Sequence, residues 1–236
     1  MHRANSDRPS KKSVIESCDL FGILSSEQRD TLALHSHMAH AERGETIWLA
    51  GSPSEAVAVL GQGFVKMTKN SAQGTEIAVE LVGPGQCIGV LAAIEGREMP
   101  LNAVAITCTW YLKVPTRLLL ELYEKVDALK DQVVKSIGPR LRKAHEMMSQ
   151  LSSGTVEKRI AAVLLILAES YGNRVAKRVQ LTVPLTRQDL AEMAGTTVET
   201  AIRVMSKWQK DGLVFTEHQV ITLCDRRRLE ECCLKG

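Results

Sequence analysis

The stretch Leu185–Val214, LTRQDLAEMAGTTVETAIRVMSKWQKDGLV, constrains this chain more than any other. Thr186 stands three residues before Asp189, the spacing of a helix-opening box, and an amphipathic turn follows through Leu190, Ala191 and Met193. Ala194-Gly195 interrupts that helix, as the turn of a helix-turn-helix requires. Thr196 with Glu199 three residues later predicts the start of a second helix, and Ala201, Ile202, Met205 and Trp208 give it a face to bury. Its other face shows Thr197, Thr200, Arg203, Ser206, Lys207 and Lys210, and Asp211-Gly212 stops it. An ordinary helical hairpin with a solvated charged face is the plainer alternative. A reading helix in the DNA major groove is the sharper one.

The rest of the chain divides by pattern. From Phe21 to Pro115, short β-rich runs alternate with glycine turns: TIWLAG (46–51), AVAVLGQGFVKMT (56–68), TEIAVELVGPGQCIGV (75–90) and NAVAITCTWYLKV (102–114). This is the pattern of an antiparallel barrel or jelly roll. From Pro115 to Leu151 the pattern turns helical, with Leu129, Val133, Ile137, Leu141, Met148 and Leu151 as an apolar stripe. Gly138-Pro139 predicts a kink within it. Ser152-Ser153-Gly154 reads as a hinge, Val156–Tyr171 as an amphipathic helix, Val179–Val183 as a strand and Phe215–Leu223 as a hairpin. Arg226-Arg227-Arg228 reads as a solvated tail, and the polar start, MHRANSDRPSKKS, as a flexible arm without the apolar core of an export signal.

The net charge of +3 lies in the last third, where residues 153–236 carry 13 Lys and Arg against 10 Asp and Glu. That favours nucleic acid only through local clusters. The chain shows no P-loop, no G-x-S-x-G, no H-E-x-x-H and no acid/base pair, so an enzyme is disfavoured. No run approaches a membrane span. Six scattered cysteines, Cys18, Cys87, Cys108, Cys224, Cys232 and Cys233, lack C-x-x-C spacing and read as reduced thiols in a cytosolic protein. His35, His37 and His40 invite a metal reading, but on a strand only the first two share a face.

The 30-residue stretch resembles the winged-helix signature of the bacterial CRP/FNR family of transcription regulators, and a weaker likeness runs from Phe21 onward. The glycine spacing likewise resembles that family's cyclic-nucleotide-binding β-roll. The resemblance implies an α+β fold: an N-terminal antiparallel β-roll (21–115) behind a short arm (1–20), a long dimerisation helix and hinge (116–152), and a C-terminal winged helix-turn-helix domain (153–236). It implies a cytoplasmic homodimer, an activator that binds palindromic double-stranded DNA, recruits RNA polymerase and does not enter membranes.

Carried onto this chain, the family's base-reading positions are Val198, Glu199, Ile202 and Arg203, with Thr197 beside them. Arg203 suits guanine and Glu199 suits cytosine, and their four-residue spacing lets Glu199 steady the arginine. Thr186, Arg187, Gln188 and Lys207 are the phosphate candidates. Cyclic-AMP-receptor-like members carry arginine where this chain has Val198, and the FNR branch carries valine, which implies an inverted pair of TTGA-type half-sites. The branch's usual serine is Ile202 here, so one base preference differs.

The resemblance says less about what is sensed. The family's nucleotide pocket needs a carboxylate for ribose and an Arg-Ser pair for phosphate. In CIGVLAAIEGREMPLNAV (87–104), Val90 and Pro100-Leu101 stand at those places, which disfavours cyclic AMP; Arg97 is the nearby cation. Only Cys18 lies where the FNR branch holds an iron–sulfur cluster, which disfavours that cofactor too. An apolar pocket of Val90, Leu91, Ile94, Leu101 and Met148 would suit haem or a small apolar ligand, with His145 as axial ligand. The rival readings are a constitutive regulator with a vestigial sensor and a cyclic-nucleotide-responsive module without operator specificity.

Overall fold

In AVAVL the apolar residues run without alternation, and the reason is that both faces of that strand are buried. The structure, a computed structural model, describes residues 8–70, 76–152, 154–176 and 178–234, and the side chains of 149–152 and 234 lie outside the description. By compactness the chain forms two units, 1–69 with 81–139 and 70–80 with 140–236.

The first unit holds strands β1 (His37–Ala41), β2 (Thr46–Trp48), β3 (Ala56–Gln62), β4 (Val65–Asn70), β5 (Glu76–Val82), β6 (Cys87–Ile88), β7 (Asn102–Ala105) and β8 (Thr109–Pro115), the last residues of β5 reaching it from the second unit. They form two four-stranded sheets, ordered β1-β8-β3-β6 and β2-β7-β4-β5. One core lies between the sheets: Ala58, Leu60, Ile88 and Tyr111 from the first meet Val65, Met67, Ala103 and Ala105 from the second. A second core lies on the other face of the first sheet, where Val57, Val59, Leu112 and Val114 pack against helices. Successive residues of β3 and β8 therefore enter different cores, as the strand period of two dictates.

The helices of that second core are α1 (Lys11–Glu16), α2 (Ser26–His35), α3 (Val90–Glu95), α4 (Thr116–Lys125) and the start of α5 (Asp127–Ser152). Helix α1 corrects the expectation of a flexible arm over 1–20. Ser10 caps it, and Val14, Ile15, Cys18 and Leu20 are buried. Residues 1–7 of that arm lie outside the description. Gly61 makes the approach of α1 possible, since a Cβ there would come within 2.6 Å of Val14 Cγ2.

Helix α5 continues through Pro139, where the kink is expected. Proline removes one ladder hydrogen bond there. The predicted stripe divides between two faces. Leu129 and Val133 are buried in the first unit's core, and Ile137 packs partly against it. Val134, Leu141 and Met148, seven residues apart, are 70%, 53% and 65% exposed. Leu151 has its side chain outside the description, as Ser153 of the expected hinge lies outside it altogether.

The second unit is built on α6 (Val156–Tyr171), whose Ile160–Leu164 and Ile166–Ala168 are buried almost all round. Around it lie β9 (Gly172–Val175), β10 (Arg178–Leu181), α7 (Arg187–Ala194), α8 (Val198–Lys210), β11 (Val214–Glu217), β12 (Val220–Leu223) and α9 (Arg226–Leu234), the strands in order β11-β12-β10-β9. Strand β9 is additional to the predicted elements. Helix α9 replaces the expected solvated tail: Leu229 is fully buried, and Arg226 pairs with Glu169 at 3.2 Å and Glu230 at 2.7 Å. Arg140 meets Glu80 through two parallel 2.8 Å hydrogen bonds. No helix among the described residues is long and apolar enough to cross a membrane.

Candidate nucleic-acid interface

The helix-turn-helix is assembled by caps that can be traced residue by residue. Thr186 caps α7 in a reciprocal box: its hydroxyl accepts from the Asp189 N–H at 3.1 Å, and the Asp189 carboxylate accepts from the Thr186 N–H at 2.9 Å. Asp189 is buried but satisfied, since it also accepts the Thr186 hydroxyl at 2.6 Å. Gly195 ends α7 in the left-handed conformation (φ 58°, ψ 49°). A Cβ there would meet nothing within 4 Å, so glycine is favoured by backbone conformation and not by space.

The turn has a support that sequence reasoning missed. Arg159 of α6 donates to the carbonyls of Ala194 at 2.9 Å and Gly195 at 3.2 Å. A cation at the carbonyl end of α7 meets both its unsatisfied acceptors and its dipole. In sequence Arg159 is one charge in VEKRIAAVLL, 35 residues away, with no local signal of its partner.

The cap of α8 is Thr197, one residue later than expected: its hydroxyl accepts from the Thr200 N–H at 3.3 Å. Thr196 and Glu199 do not form the predicted box. Ala201, Val204, Met205 and Trp208 are buried, and Ile202 is 47% exposed. Ile202 thus leaves the core face and joins the outward one, where Glu199, Arg203, Ser206 and Lys207 are exposed and Val198 half-buried. The helical period explains the exchange, because 201, 204, 205 and 208 share a face that 202 does not. Glu199 and Arg203 make no side-chain hydrogen bond or ion pair among the described residues, so the expected Glu199–Arg203 pair is not formed.

The phosphate candidates are engaged elsewhere within the unit. Arg187 is half-buried and donates to the Thr216 hydroxyl of β11 at 3.1 Å, joining α7 to the hairpin. Burial pulls its pKa down, but a guanidinium stays charged. Gln188 donates to the Glu192 carboxylate at 2.7 Å. Lys207 pairs with Glu157 at 3.0 Å, which raises its pKa through that hydrogen bond. The hairpin β11–β12 turns through His218 (φ 47°) and Gln219 (φ 68°), both left-handed, the geometry that matches strand twist in a two-residue connection.

Within the first unit, the expected effector residues do not share one core. Val90 is buried and Ile94 packs beside it in the helix-side core, because 90, 93 and 94 share the inner face of α3. Leu91 is 46% exposed on its outer face. Leu101 instead packs against the core between the sheets. Arg97 points to solvent and sits 3.6 Å from Glu95. His145 and Met148, on α5 in the second unit, are both exposed. The three histidines also separate: His35 ends α2 and His37 starts β1, both exposed, while His40 lies beside Cys108 and Glu42.

Comparison with known proteins gives the same architecture. Residues 158–232 match the Crp-like helix-turn-helix domain, and residues 38–126 match the cyclic nucleotide-binding domain. The chain is 27% identical over 195 residues to the transcriptional activator protein anr of Pseudomonas aeruginosa, covering 83% of this chain and 79% of that one. It is 26% identical over 235 residues to the transcriptional activator protein FnrA of Stutzerimonas stutzeri, covering 97% and 95%. The solved structure of FixK2 from Bradyrhizobium japonicum superposes with a TM-score of 0.73 at 24% identity, covering 85% of this chain and 98% of that one.

Proposed function

Since the chain belongs to the CRP/FNR family of transcription regulators, we propose that it acts as a homodimer reading an inverted TTGA-type palindrome, with α8 as the reading helix. The observation that carries this is the outward face of α8, where Glu199, Ile202 and Arg203 stand exposed on a helix anchored by Ala201, Val204, Met205 and Trp208. An arginine without an internal partner keeps its fork of donors for guanine O6 and N7. Val198 and Ile202 offer methyl groups to thymine, and Thr197 and Thr186 place hydroxyls at helix starts, where phosphates are attracted. Lys207 and Arg187 reach phosphate by exchanging their internal partners for the backbone. The bound dimer recruits RNA polymerase as an activator in the cytoplasm.

Equilibrium binding to a labelled TTGA palindrome and to a scrambled duplex, at fixed salt, tests this reading. Arg203→Ala is expected to lose about 1–3 kcal/mol of discrimination at one base pair of each half-site. Equal affinity of the unaltered protein for both duplexes would contradict it.

The effector we infer is not cyclic AMP. Arg97, the sole basic residue of 87–104, faces solvent beside Glu95, so a cyclic phosphate near Val90 would lack a cation. Haem or a small apolar ligand is the effector class this leaves, and the exposed imidazole of His145 is the candidate iron ligand to test. Protein purified without air is expected to show a Soret band on adding haem, shifted by carbon monoxide and weakened in His145→Ala. A spectrum equal to free haem would sink the haem reading and leave an organic effector or constitutive binding.

A further inference from the structure

One cluster in the β-roll plays no part in the reading of DNA. Strands β1 and β8 pair with His40 opposite Trp110 and Ala41 opposite Thr109. One step further along that register sets Glu42 opposite Cys108. Ala41 and Thr109 are buried, so the alternate positions His40, Glu42, Cys108 and Trp110 share the outer face.

On that face, His40 Nε2 lies 3.1 Å from Cys108 Sγ and 3.7 Å from Glu42 Oε1. All three potential ligand atoms lie within 4.8 Å of one another. Metal–ligand bonds of 2.0–2.3 Å at a tetrahedral centre imply separations of roughly 3.3–3.6 Å between ligand atoms. Shifts of a few tenths of an ångström would bring the two short contacts to that spacing. The Trp110 ring, 4.7 Å from the His40 ring, limits its rotation, and β8 holds Cys108 in place through the Thr109 backbone.

We propose that His40, Glu42 and Cys108 form a binding site for one borderline divalent transition-metal ion of the zinc class, with a water as fourth ligand. The donor set selects the ion: a thiolate and an imidazole disfavour magnesium and calcium, and a carboxylate with imidazole disfavours copper(I). A thiolate is the donor, so binding displaces the thiol proton and tightens with rising pH.

Cobalt(II) is the probe, because a thiolate ligand gives a charge-transfer band and a tetrahedral site gives intense visible bands. The full chain is expected to bind one cobalt ion with both signatures, and zinc is expected to displace it. Cys108→Ser should abolish the charge-transfer band. Loss of an outer-shell partner alone costs metal sites about 10–100-fold, so His40→Gln should weaken binding at least that much. All side chains concerned are outside the cores, and circular dichroism checks that each variant is folded. The Cys232→Ser/Cys233→Ser double variant should keep both signatures. Absence of any band, or a band that survives Cys108→Ser and disappears in the double variant, would overturn the proposal. DNA affinity is measured separately, so either result leaves the α8 reading to stand or fall by itself.

Discussion

Cys18 shows how one side chain ties stability to solution conditions. It sits after α1 with 2% of its surface exposed, and burial pushes its pKa up from 9.0 to about 11. The folded state therefore favours the neutral thiol. Its contribution is complete below pH 9, where both states hold the proton, and is lost as pH rises from there through the folded value. Two pKa units correspond to about 2–3 kcal/mol. Urea unfolding from pH 7 to 11 should show the unaltered protein losing more stability than Cys18→Ala above pH 9. Parallel curves would mean that the thiol is not excluded from solvent. Arg159 and Ile202 mark the limit of local reading at this scale. Ile202 was legible as helical but not as inward or outward, because two adjacent apolar residues allow either phase. Arg159 acts 35 residues from its own position.

Elements were legible where the signal is local. The cap at Thr186, the left-handed stop at Gly195 and the amphipathic period of α8 are consecutive in sequence, and they fold as the pattern predicts apart from a one-residue shift to Thr197. Helices α1 and α9 were missed for one reason. KKSVIE and RRRLEECCL are dominated by charged and polar residues, and a few apolar side chains, Val14 and Ile15 in one and Leu229 in the other, anchor each. Helix α5 carries two interleaved stripes, and the sequence reading merged them. Val134, Ile137, Leu141, Ala144, Met148 and Leu151 follow the a/d spacing of a coiled coil, and the described members other than Ile137 are exposed. An apolar seam of that spacing, exposed apart from Ile137 among the described side chains, supports the homodimer reading. Leu141→Glu would place facing charges at the seam, so sedimentation equilibrium should show a monomer with unchanged helix content. A dimer retained at the same affinity would place the interface elsewhere.

For the whole molecule, two units of different character follow from one chain: strands whose alternation feeds two cores, and a helix-rich unit around the buried α6. Helix α8 has a packed inner face, and it and α7 are both capped, so the base contacts proposed for it would be positioned by the fold and not assembled on binding. That is the basis for expecting sequence-specific binding. Identity of the effector was not legible because the side chains of 87–104, on which most of the expected pocket rested, enter two different cores, while His145 and Met148 stand exposed on α5.

Selection of bound duplexes from a random-sequence library by the unaltered protein decides whether it reads a TTGA palindrome. The expected outcome is enrichment of an inverted repeat with TTGA in each half and half-site centres about one helical turn apart. Recovery of no motif, or of one without two-fold symmetry, would contradict it.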